Sequence, residues 1–171
     1  MTTLTTERLV LRPWRSDDFE EYARIHSDPE VMRYVGDGQP LTRANAWRNL
    51  AMIIGHWTLR GFGLWAVEER SSGRLAGRAG FYQPDGWPGF EAGWLLAREF
   101  WGKGYATEAA REALKYAFTG MERSHVISLI YPDNARSIKV AERLGERLEG
   151  SVMESGHEVL VFGIDKSDWR D

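Results

Sequence analysis

The stretch Phe100-Trp101-Gly102-Lys103-Gly104-Tyr105-Ala106-Thr107-Glu108-Ala109 contains a glycine turn between a predicted strand and a predicted helix. Apolar residues precede it at 90–96, and an alanine-rich pattern with helical spacing follows it as far as Gly120. The first N–H groups of a helix have no partners within the helix, and the helix dipole makes that end positive. Glycines let the backbone approach an anion, Lys103 adds a positive charge and Thr107 adds a hydroxyl. The segment therefore either binds a phosphate group or forms only a tight turn.

Two common nucleotide-binding motifs do not fit this turn. A Walker A loop requires G-x-x-x-x-G-K-[ST], which the sequence lacks. The dinucleotide fingerprint G-x-G-x-x-G/A is matched incompletely, because Thr107 occupies its third position. The turn also follows several consecutive strands, whereas the dinucleotide motif belongs to the first unit of a doubly wound sheet. Both nucleotide interpretations are disfavoured.

The rest of the chain alternates between strand-like and helix-like patterns. Strands are predicted at 8–12, 63–68, 74–82, 90–96 and 126–131, with a final hairpin over about 147–164 that turns at Ser155-Gly156. The consecutive strands in the middle favour an antiparallel meander, and the strand–helix–strand step from 90 to 131 favours one parallel pair. We therefore predict one domain, 1–171, with a mixed α/β (α+β) fold. Its sheet is mostly antiparallel with one parallel pair, and about four helices flank it.

One of these helices is predicted to begin after Thr42 and to end at Gly61. Threonine is a good N-cap residue, and glycine commonly follows the last helical residue. Four apolar residues inside the segment recur at helical spacing, which predicts that they form its buried face. They are Trp47, Leu50, Ala51 and Ile54.

Composition excludes several classes of protein. The 171 residues carry a net charge of −3, whereas nucleic-acid binding needs a basic surface. No apolar run approaches the ~18 residues of a membrane span, and the charged N-terminus is not a signal peptide, so we expect a cytoplasmic protein. The absence of cysteine excludes disulfides, thiolate metal sites and a cysteine nucleophile. The histidines lack metal-ligand spacing, so no metal site is predicted.

Three motifs, in this order, resemble the GNAT acetyltransferases, and most closely the branch that contains the RimJ and RimL ribosomal-protein N-terminal acetyltransferases. They are Thr6-Glu7-Arg8-Leu9-Val10-Leu11-Arg12-Pro13, the glycine turn from Phe100 to Ala109, and Asn134-x-x-Ser137 followed by Ala141-x-x-Leu144-Gly145. The resemblance covers nearly the whole chain. Trp101 departs from it, because a Gln or Arg begins the superfamily's glycine motif. Glu146 departs too, where a phenylalanine usually follows Leu-Gly, and we expect a change in packing there.

The resemblance implies an enzyme that uses acetyl-CoA, releases CoA and acetylates a primary amine by direct attack. It also implies that the parallel strands at 90–96 and 126–131 splay apart, with the pantetheine arm paired to strand backbone in the gap. The pyrophosphate would lie on the glycine turn. The implied cofactor-binding residues are Trp94, Leu95, Leu96, Trp101, Gly102, Lys103, Gly104, Tyr105, Ala106, Thr107, Asn134 and Ser137.

Acetyl transfer to an amine requires a base for the amine and a group that neutralises the leaving thiolate. Glu91 is the candidate catalytic base, acting directly or through water, because an apolar groove would raise the pKa of its carboxyl. Alternatively, Glu91 is an ordinary solvated residue. The resemblance implies that the Ser137 hydroxyl hydrogen-bonds the sulfur of CoA, but it could instead hydrogen-bond its own helix backbone. The resemblance implies that Asn134 hydrogen-bonds the pantetheine arm. Asn134 could instead be the N-cap of the helix, or serve in both roles.

The acceptor is a small-molecule or peptide amine, and the resemblance does not choose between them. Its walls are predicted at 31–41 and 83–89, where Arg33, Tyr34 and Trp87 are candidate substrate contacts. A different class of function is a non-catalytic acyl-CoA-binding module, and the presence of both candidate catalytic residues favours the enzyme. Exposed tryptophans would be compatible with a homodimer.

Overall fold

The structure, a computed structural model, describes residues 2–154 and 156–170 of the chain. Its strands, in chain order, are β1 (Leu4–Thr5), β2 (Leu9–Arg12), β3 (Leu64–Glu69), β4 (Leu75–Tyr82), β5 (Glu91–Leu96), β6 (His125–Ile130), β7 (Arg147–Glu154) and β8 (His157–Asp165). Its α-helices are α1 (Phe19–His26), α2 (Pro29–Met32), α3 (Arg43–Arg60), α4 (Tyr105–Thr119) and α5 (Ala135–Leu144). Of the turn predicted at Ser155-Gly156, Ser155 lies outside the described residues.

The strands form one mixed sheet in the order β1-β2-β3-β4-β5-β6-β8-β7. Neighbouring strands are antiparallel except β5 and β6, which are parallel because α4 carries the chain from the end of one to the start of the other. This confirms the predicted mixed sheet with one parallel pair. The described residues contain five α-helices, because a single additional turn, α2, begins at Pro29 behind its N-cap Asp28.

The two parallel strands touch at one end and then part. Their only register pair among the described residues is Glu91↔Ile127, supported by a 3.0 Å hydrogen bond from the Ile127 N–H to the Phe90 carbonyl. Beyond this point β5 stays paired with β4, and β6 stays paired with β8. The predicted splay is therefore present, and it opens toward the carboxyl ends of β5 and β6.

Helix α3 begins and ends where the sequence predicted, but of its predicted buried face only Leu50 is buried. The Thr42 hydroxyl accepts the Asn45 N–H, and Gly61 ends the helix in the left-handed region at φ 76°. However, Trp47 is 60% exposed and Ile54 is 39% exposed. The buried residues are Ala46, Leu50, Ile53, His56 and Trp57. On this face the Trp57 indole N–H donates to the Leu64 carbonyl at 3.0 Å, so the polar group of the buried indole is satisfied.

Helix α4 packs an alanine-rich face against the centre of the sheet. Ala109, Ala110, Ala113 and Ala117 are all buried, and such short side chains let the helix approach closely. The N-terminal motif is tied to the start of this helix, because the Glu108 carboxylate accepts the Thr6 hydroxyl at 2.6 Å and the Arg8 backbone N–H at 2.9 Å. Two of the three sequence motifs thus meet in space.

Among residues 2–154 and 156–170, no helix combines the length and apolar character that crossing a membrane requires.

Candidate active site

The glycine turn presents the start of α4 without a side-chain cap. Gly102 has φ 75° and Gly104 has φ 80°, a region that favours glycine over any residue with a Cβ. Gly104 is the N-cap, and since it has no side chain, no side-chain oxygen occupies the first N–H groups of the helix. These unpaired donors, at the positive end of a helix of 15 residues, are suited to a phosphate group.

Three arginines converge on the same end of α4. A cleft there is lined by Gly104 and Thr107 together with Arg8, Arg111 and Arg143. Glu7 and Glu108 also line it, and the Glu108 carboxylate accepts a hydrogen bond from the Arg8 guanidinium at 2.7 Å. The sequence analysis did not single out these arginines. Arg111 could have been found, because it lies one helical turn after Thr107 on the same face. Arg143 belongs to α5 and arrives only through packing, with its backbone carbonyl 2.7 Å from the Arg111 guanidinium.

The side chains of Lys103 and Tyr105, which the sequence predicted at the cofactor, instead contact other residues of the protein. The Tyr105 hydroxyl donates to the Glu69 carboxylate at 2.6 Å, and the residue is 7% exposed. The Lys103 ammonium lies 3.7 Å from the same carboxylate and sits over the Phe100 ring. The groups that these two residues offer to a phosphate are therefore their backbone N–H groups.

Trp101, the departure from the family pattern, links the turn to β5 and α5. Its indole N–H donates to the Leu96 carbonyl at 2.8 Å, and the Arg136 guanidinium stacks 4.3 Å from its ring. The Trp101 side chain, at the position of the family's Gln or Arg, thus stabilises the turn.

The edge of β5 that faces the splay offers free backbone groups. The Ala92 carbonyl points toward β6, where it accepts the Ser128 hydroxyl. Backbone groups of alternate residues in a strand point to the same edge, so the N–H and C=O of Trp94 also point toward β6. The Trp94 side chain packs against the cluster of Ile130, Ala141 and Phe162, while Leu95 is buried. This edge can receive an extended ligand that pairs with it as an added strand would.

Asn134 and Ser137 lie at the start of α5, directly after β6. The Asn134 side chain accepts the Ser137 backbone N–H at 3.2 Å, so the predicted N-cap is present. The Ser137 hydroxyl is half-buried and has no hydrogen-bond partner in the described part of the chain. It is free to hydrogen-bond a ligand, and it does not hydrogen-bond its own helix backbone.

Glu91 stands where β5 and β6 begin to part. It is half-buried, and the Trp87 indole N–H donates to its carboxylate at 2.7 Å. Burial raises the pKa of Glu91 to about 7, although the Trp87 hydrogen bond, the positive charge of Arg78 and the Leu129 N–H act in the opposite direction. A carboxyl with this pKa can take up a proton near neutral pH, as a general base must.

Of the three predicted acceptor contacts, one touches this carboxylate and the other two lie together beside Tyr131. Trp87 touches Glu91 itself, and Tyr34 lies 6.2 Å from the ring of Tyr131. The exposed Arg33 guanidinium stacks on Tyr34. The Tyr131 hydroxyl donates to the Gly36 carbonyl at 2.6 Å. Because its proton is used in this hydrogen bond, Tyr131 is disfavoured as an acid in the reaction.

Glu146 is buried at the apex of the splay, so its substitution for phenylalanine is more than a change in packing. The residue is 3% exposed, and its Oε1 lies 3.0 Å from the Ser128 hydroxyl. That hydroxyl also lies 3.0 Å from the Ala92 carbonyl, which can only accept. Because Ser128 has one proton to give, both hydrogen bonds exist only when Glu146 is protonated and donates. Burial raises its pKa to about 8, in agreement with a neutral carboxyl.

The Glu146→Gln substitution is expected to change how stability depends on pH. A carboxyl whose pKa is raised in the folded state stabilises the protein fully only below its unfolded pKa, and this contribution is lost as pH rises through the folded value. The free energy of unfolding of the wild type should therefore fall by about 1.4 kcal/mol per pH unit through this group between about pH 5 and pH 8. Glutamine can still donate to Ser128 and does not titrate.

Urea unfolding at several pH values measures this effect. The stability difference, variant minus wild type, should grow as pH rises, and titrating groups that do not interact with Glu146 cancel in it. Glu142→Gln, on the exposed side of α5, is the matched control and should show no such growth. A constant difference for Glu146→Gln would contradict the neutral carboxyl.

Comparisons with known proteins agree on one family. A family model described as an acetyltransferase (GNAT) domain matches residues 8–147. The uncharacterized N-acetyltransferase p20 of Bacillus licheniformis is 32% identical over 152 residues, which cover 88% of this chain and 85% of that protein. An acetyltransferase structure from Agrobacterium tumefaciens superposes with a TM-score of 0.85 at 31% identity, covering 96% of this chain and 94% of that one.

A more distant structure contains the cofactor. RimL, a ribosomal L7/L12 alpha-N-protein acetyltransferase, was solved in complex with coenzyme A and superposes with a TM-score of 0.81, covering 96% of this chain and 98% of that one. At 16% identity this likeness concerns the fold alone.

Proposed function

This chain belongs to the GNAT family of acetyltransferases and is an N-acetyltransferase that uses acetyl-CoA, and from that premise we propose that it acetylates a primary amine by direct attack, with Glu91 as base. The observation that carries the proposal is the position of Glu91 at the point where β5 and β6 part, with a pKa of about 7. When bound, acetyl-CoA supplies the thioester carbonyl.

We propose that the glycine turn holds the pyrophosphate and that the free edge of β5 holds the pantetheine arm. The uncapped N–H groups of α4 and the cations of Arg111 and Arg143 fit a group with several negative charges. The backbone of Trp94 fits the amides of the arm. Asn134 and Ser137 complete this site from the start of α5.

In the proposed reaction, the nitrogen–carbon bond forms as the carbon–sulfur bond breaks. Glu91, held by the Trp87 indole, takes the proton of the amine directly or through one water. The free Ser137 hydroxyl hydrogen-bonds the leaving sulfur and reduces the cost of its negative charge. No covalent bond to the protein forms, in keeping with a chain that has no cysteine.

Within the family, we propose membership of the branch that contains RimJ and RimL, on the strength of the Thr6–Pro13 motif and its contacts with Glu108. Relatives in the family act on different amines, since one is named a spermidine N(1)-acetyltransferase and RimL is named for a ribosomal protein. The acceptor of this chain must therefore be sought in its own residues.

Calorimetric titration with acetyl-CoA, and in parallel with CoA, NADH, NADPH and ATP, tests the cofactor site. We expect acetyl-CoA and CoA to bind at least about tenfold more tightly than the other nucleotides. Release of CoA in the presence of an amine can then be followed with a thiol reagent, without background, because the chain has no cysteine.

The outcomes of these two measurements separate the hypotheses. Preference for ATP or a nicotinamide cofactor would overturn the assignment of the glycine turn. Selective CoA binding without turnover of any amine would instead favour a non-catalytic acyl-CoA-binding module.

A further inference from the structure

A half-buried arginine of β4 has no hydrogen-bond or ion-pair partner among the described residues. Arg78 is half-buried in β4, and its Nε is fully buried without a hydrogen bond. No ion pair or hydrogen bond is formed by its guanidinium within residues 2–154 and 156–170. A buried cation normally has a counter-charge, because leaving its donors unsatisfied costs more than an ordinary hydrogen bond gains.

Arg78 lies on the same face of the sheet as Glu91. In the antiparallel pair of β4 and β5, Arg78 is opposite Leu95 and Tyr82 is opposite Glu91. Opposite residues share a face, and so do residues two or four apart on one strand. The two charged side chains therefore lie on one face, roughly 13 Å apart along the strand at their backbones, and the length of the side chains shortens this distance.

Gly93 leaves space open between them on this face of the sheet. On that face, Gly80 and Gly93 form the register pair between Arg78–Leu95 and Tyr82–Glu91. A Cβ placed on Gly80 would meet the Gly63 carbonyl and the Trp65 ring, so the opening lies at Gly93 and not at Gly80. A Cβ placed on Gly93 would have nothing closer than 4.0 Å, where its two neighbours are an oxygen of the Glu91 carboxylate and the Leu64 side chain. The Glu91 carboxylate thus borders this opening.

The other groups around the guanidinium cannot neutralise it. The charge of Arg78 acts on Tyr22, His26, Tyr82 and Glu91. Burial lowers the pKa of His26 to about 3, so this imidazole is neutral, and burial raises the pKa of both tyrosines, which stay protonated. Glu91 is the one carboxylate among them, and it forms no ion pair with Arg78.

From this arrangement we infer that the acceptor carries a carboxylate, which Arg78 binds while the acceptor's amine lies at Glu91. The inference rests on the proposed function and narrows its substrate to small amino acids. A guanidinium presents parallel donors that match a carboxylate. A polyamine such as spermidine, by contrast, would bring further positive charge to an unpaired cation.

Acceptors matched in pairs test the inference. The probes are the L-amino acids other than cysteine, β-alanine and 4-aminobutyrate, each compared with its carboxamide, and spermidine. CoA release is followed with a thiol reagent. We expect the best acid to exceed its carboxamide in kcat/KM at least tenfold, since hydrogen bonds to charged groups exceed neutral ones by about that factor. Arg78→Gln should remove this preference and leave the Kd of acetyl-CoA unchanged.

A matched control separates recognition from general electrostatics. Arg74→Gln makes the same charge change at an exposed arginine earlier in the chain, paired with Glu99, and should keep the preference. If Arg78 served only to adjust the pKa of Glu91, Arg78→Gln would change the rates with acids and carboxamides alike, and the ratio would stay constant. Arg78→Lys, which keeps the charge without the parallel donors, should show an intermediate ratio.

The inference is overturned if carboxamides or spermidine match the acids in the wild type, or if Arg78→Gln keeps the ratio. It is also overturned if an enzyme that binds acetyl-CoA uses none of the acids. The comparison of acids with their carboxamides in the wild type tests the inference even if Arg78→Gln fails to fold. Failure of acetyl-CoA binding is a separate result, seen by calorimetry, and would refute the proposed function itself.

Discussion

Glu91→Gln should lower kcat by about 100-fold while it leaves the Kd of acetyl-CoA within about twofold of the wild type. Glutamine keeps the size of the side chain and can still accept the Trp87 indole N–H, so the surroundings of the residue are preserved. What it loses is the capacity to take a proton from the attacking amine. Initial rates and calorimetry on the same preparation measure the two quantities.

The pH dependence identifies the group that is lost. Glu91 has a pKa of about 7 and acts as a base only when ionised, so kcat/KM of the wild type should rise about tenfold per pH unit below this value. In the variant, only the ionisation of the acceptor amine should remain in the profile. Comparison of the two profiles with one acceptor thus isolates the contribution of the carboxylate.

Stability provides the control for this experiment. Because the pKa of Glu91 is raised in the folded state, its ionisation lowers stability as pH rises through 7, and the neutral variant should be at least as stable as the wild type above that pH. A fall in rate can then not be attributed to unfolding. Full activity of a folded Glu91→Gln protein near neutral pH would remove Glu91 from the mechanism.

Gly104→Glu should weaken acetyl-CoA binding by about 100-fold, which corresponds to about 2.7 kcal/mol. The new carboxylate would stand at the N-cap of α4, where it competes with a phosphate for the uncapped N–H groups and repels its charge. A Cβ at this position would lie 3.5 Å from the Arg8 guanidinium, an ordinary contact, although the φ of 80° strains any residue with a Cβ. Calorimetric titration of acetyl-CoA measures the loss.

Two further variants separate charge from backbone strain. Gly104→Asn places a neutral residue at the same φ of 80°, and asparagine tolerates this region better than most residues, so its loss of affinity should be smaller. Gly73→Glu adds the same charge at φ 67° in the turn between β3 and β4, with nothing within 4 Å of its Cβ. It should bind acetyl-CoA as the wild type does. Equal affinity of folded Gly104→Glu and wild type would refute the phosphate site.

Much of the fold could be predicted because its determinants are local. The strand–turn–helix step at Gly102 and Gly104, the caps at Thr42 and Asn134, and the meander of β3, β4 and β5 each depend on residues close together in the chain. The error in α3 has a different origin. Trp47 and Trp57 contribute equally to a hydrophobic pattern, and only the partner surface, with a carbonyl for the Trp57 N–H, decided which indole is buried.

The order of strands and helices, the glycine turn at the start of α4 and the place of Glu91 on an apolar strand could all be read from the amino-acid sequence, and Ser137 lies in a motif that resembles one family. These follow from backbone preferences and from periodicity, which act over a few residues. The packing of the folded chain brings Arg8, Arg111 and Arg143 together and buries Glu146 against Ser128. It also places Arg78 on the same face as Glu91, without a partner among the described residues. Proximity and burial between residues distant in the chain arise from strand register and from the packing of helices on the sheet. Burial of this kind also raises the pKa values of Glu91 and Glu146 and leaves Arg78 as the cation that we propose for the acceptor's carboxylate.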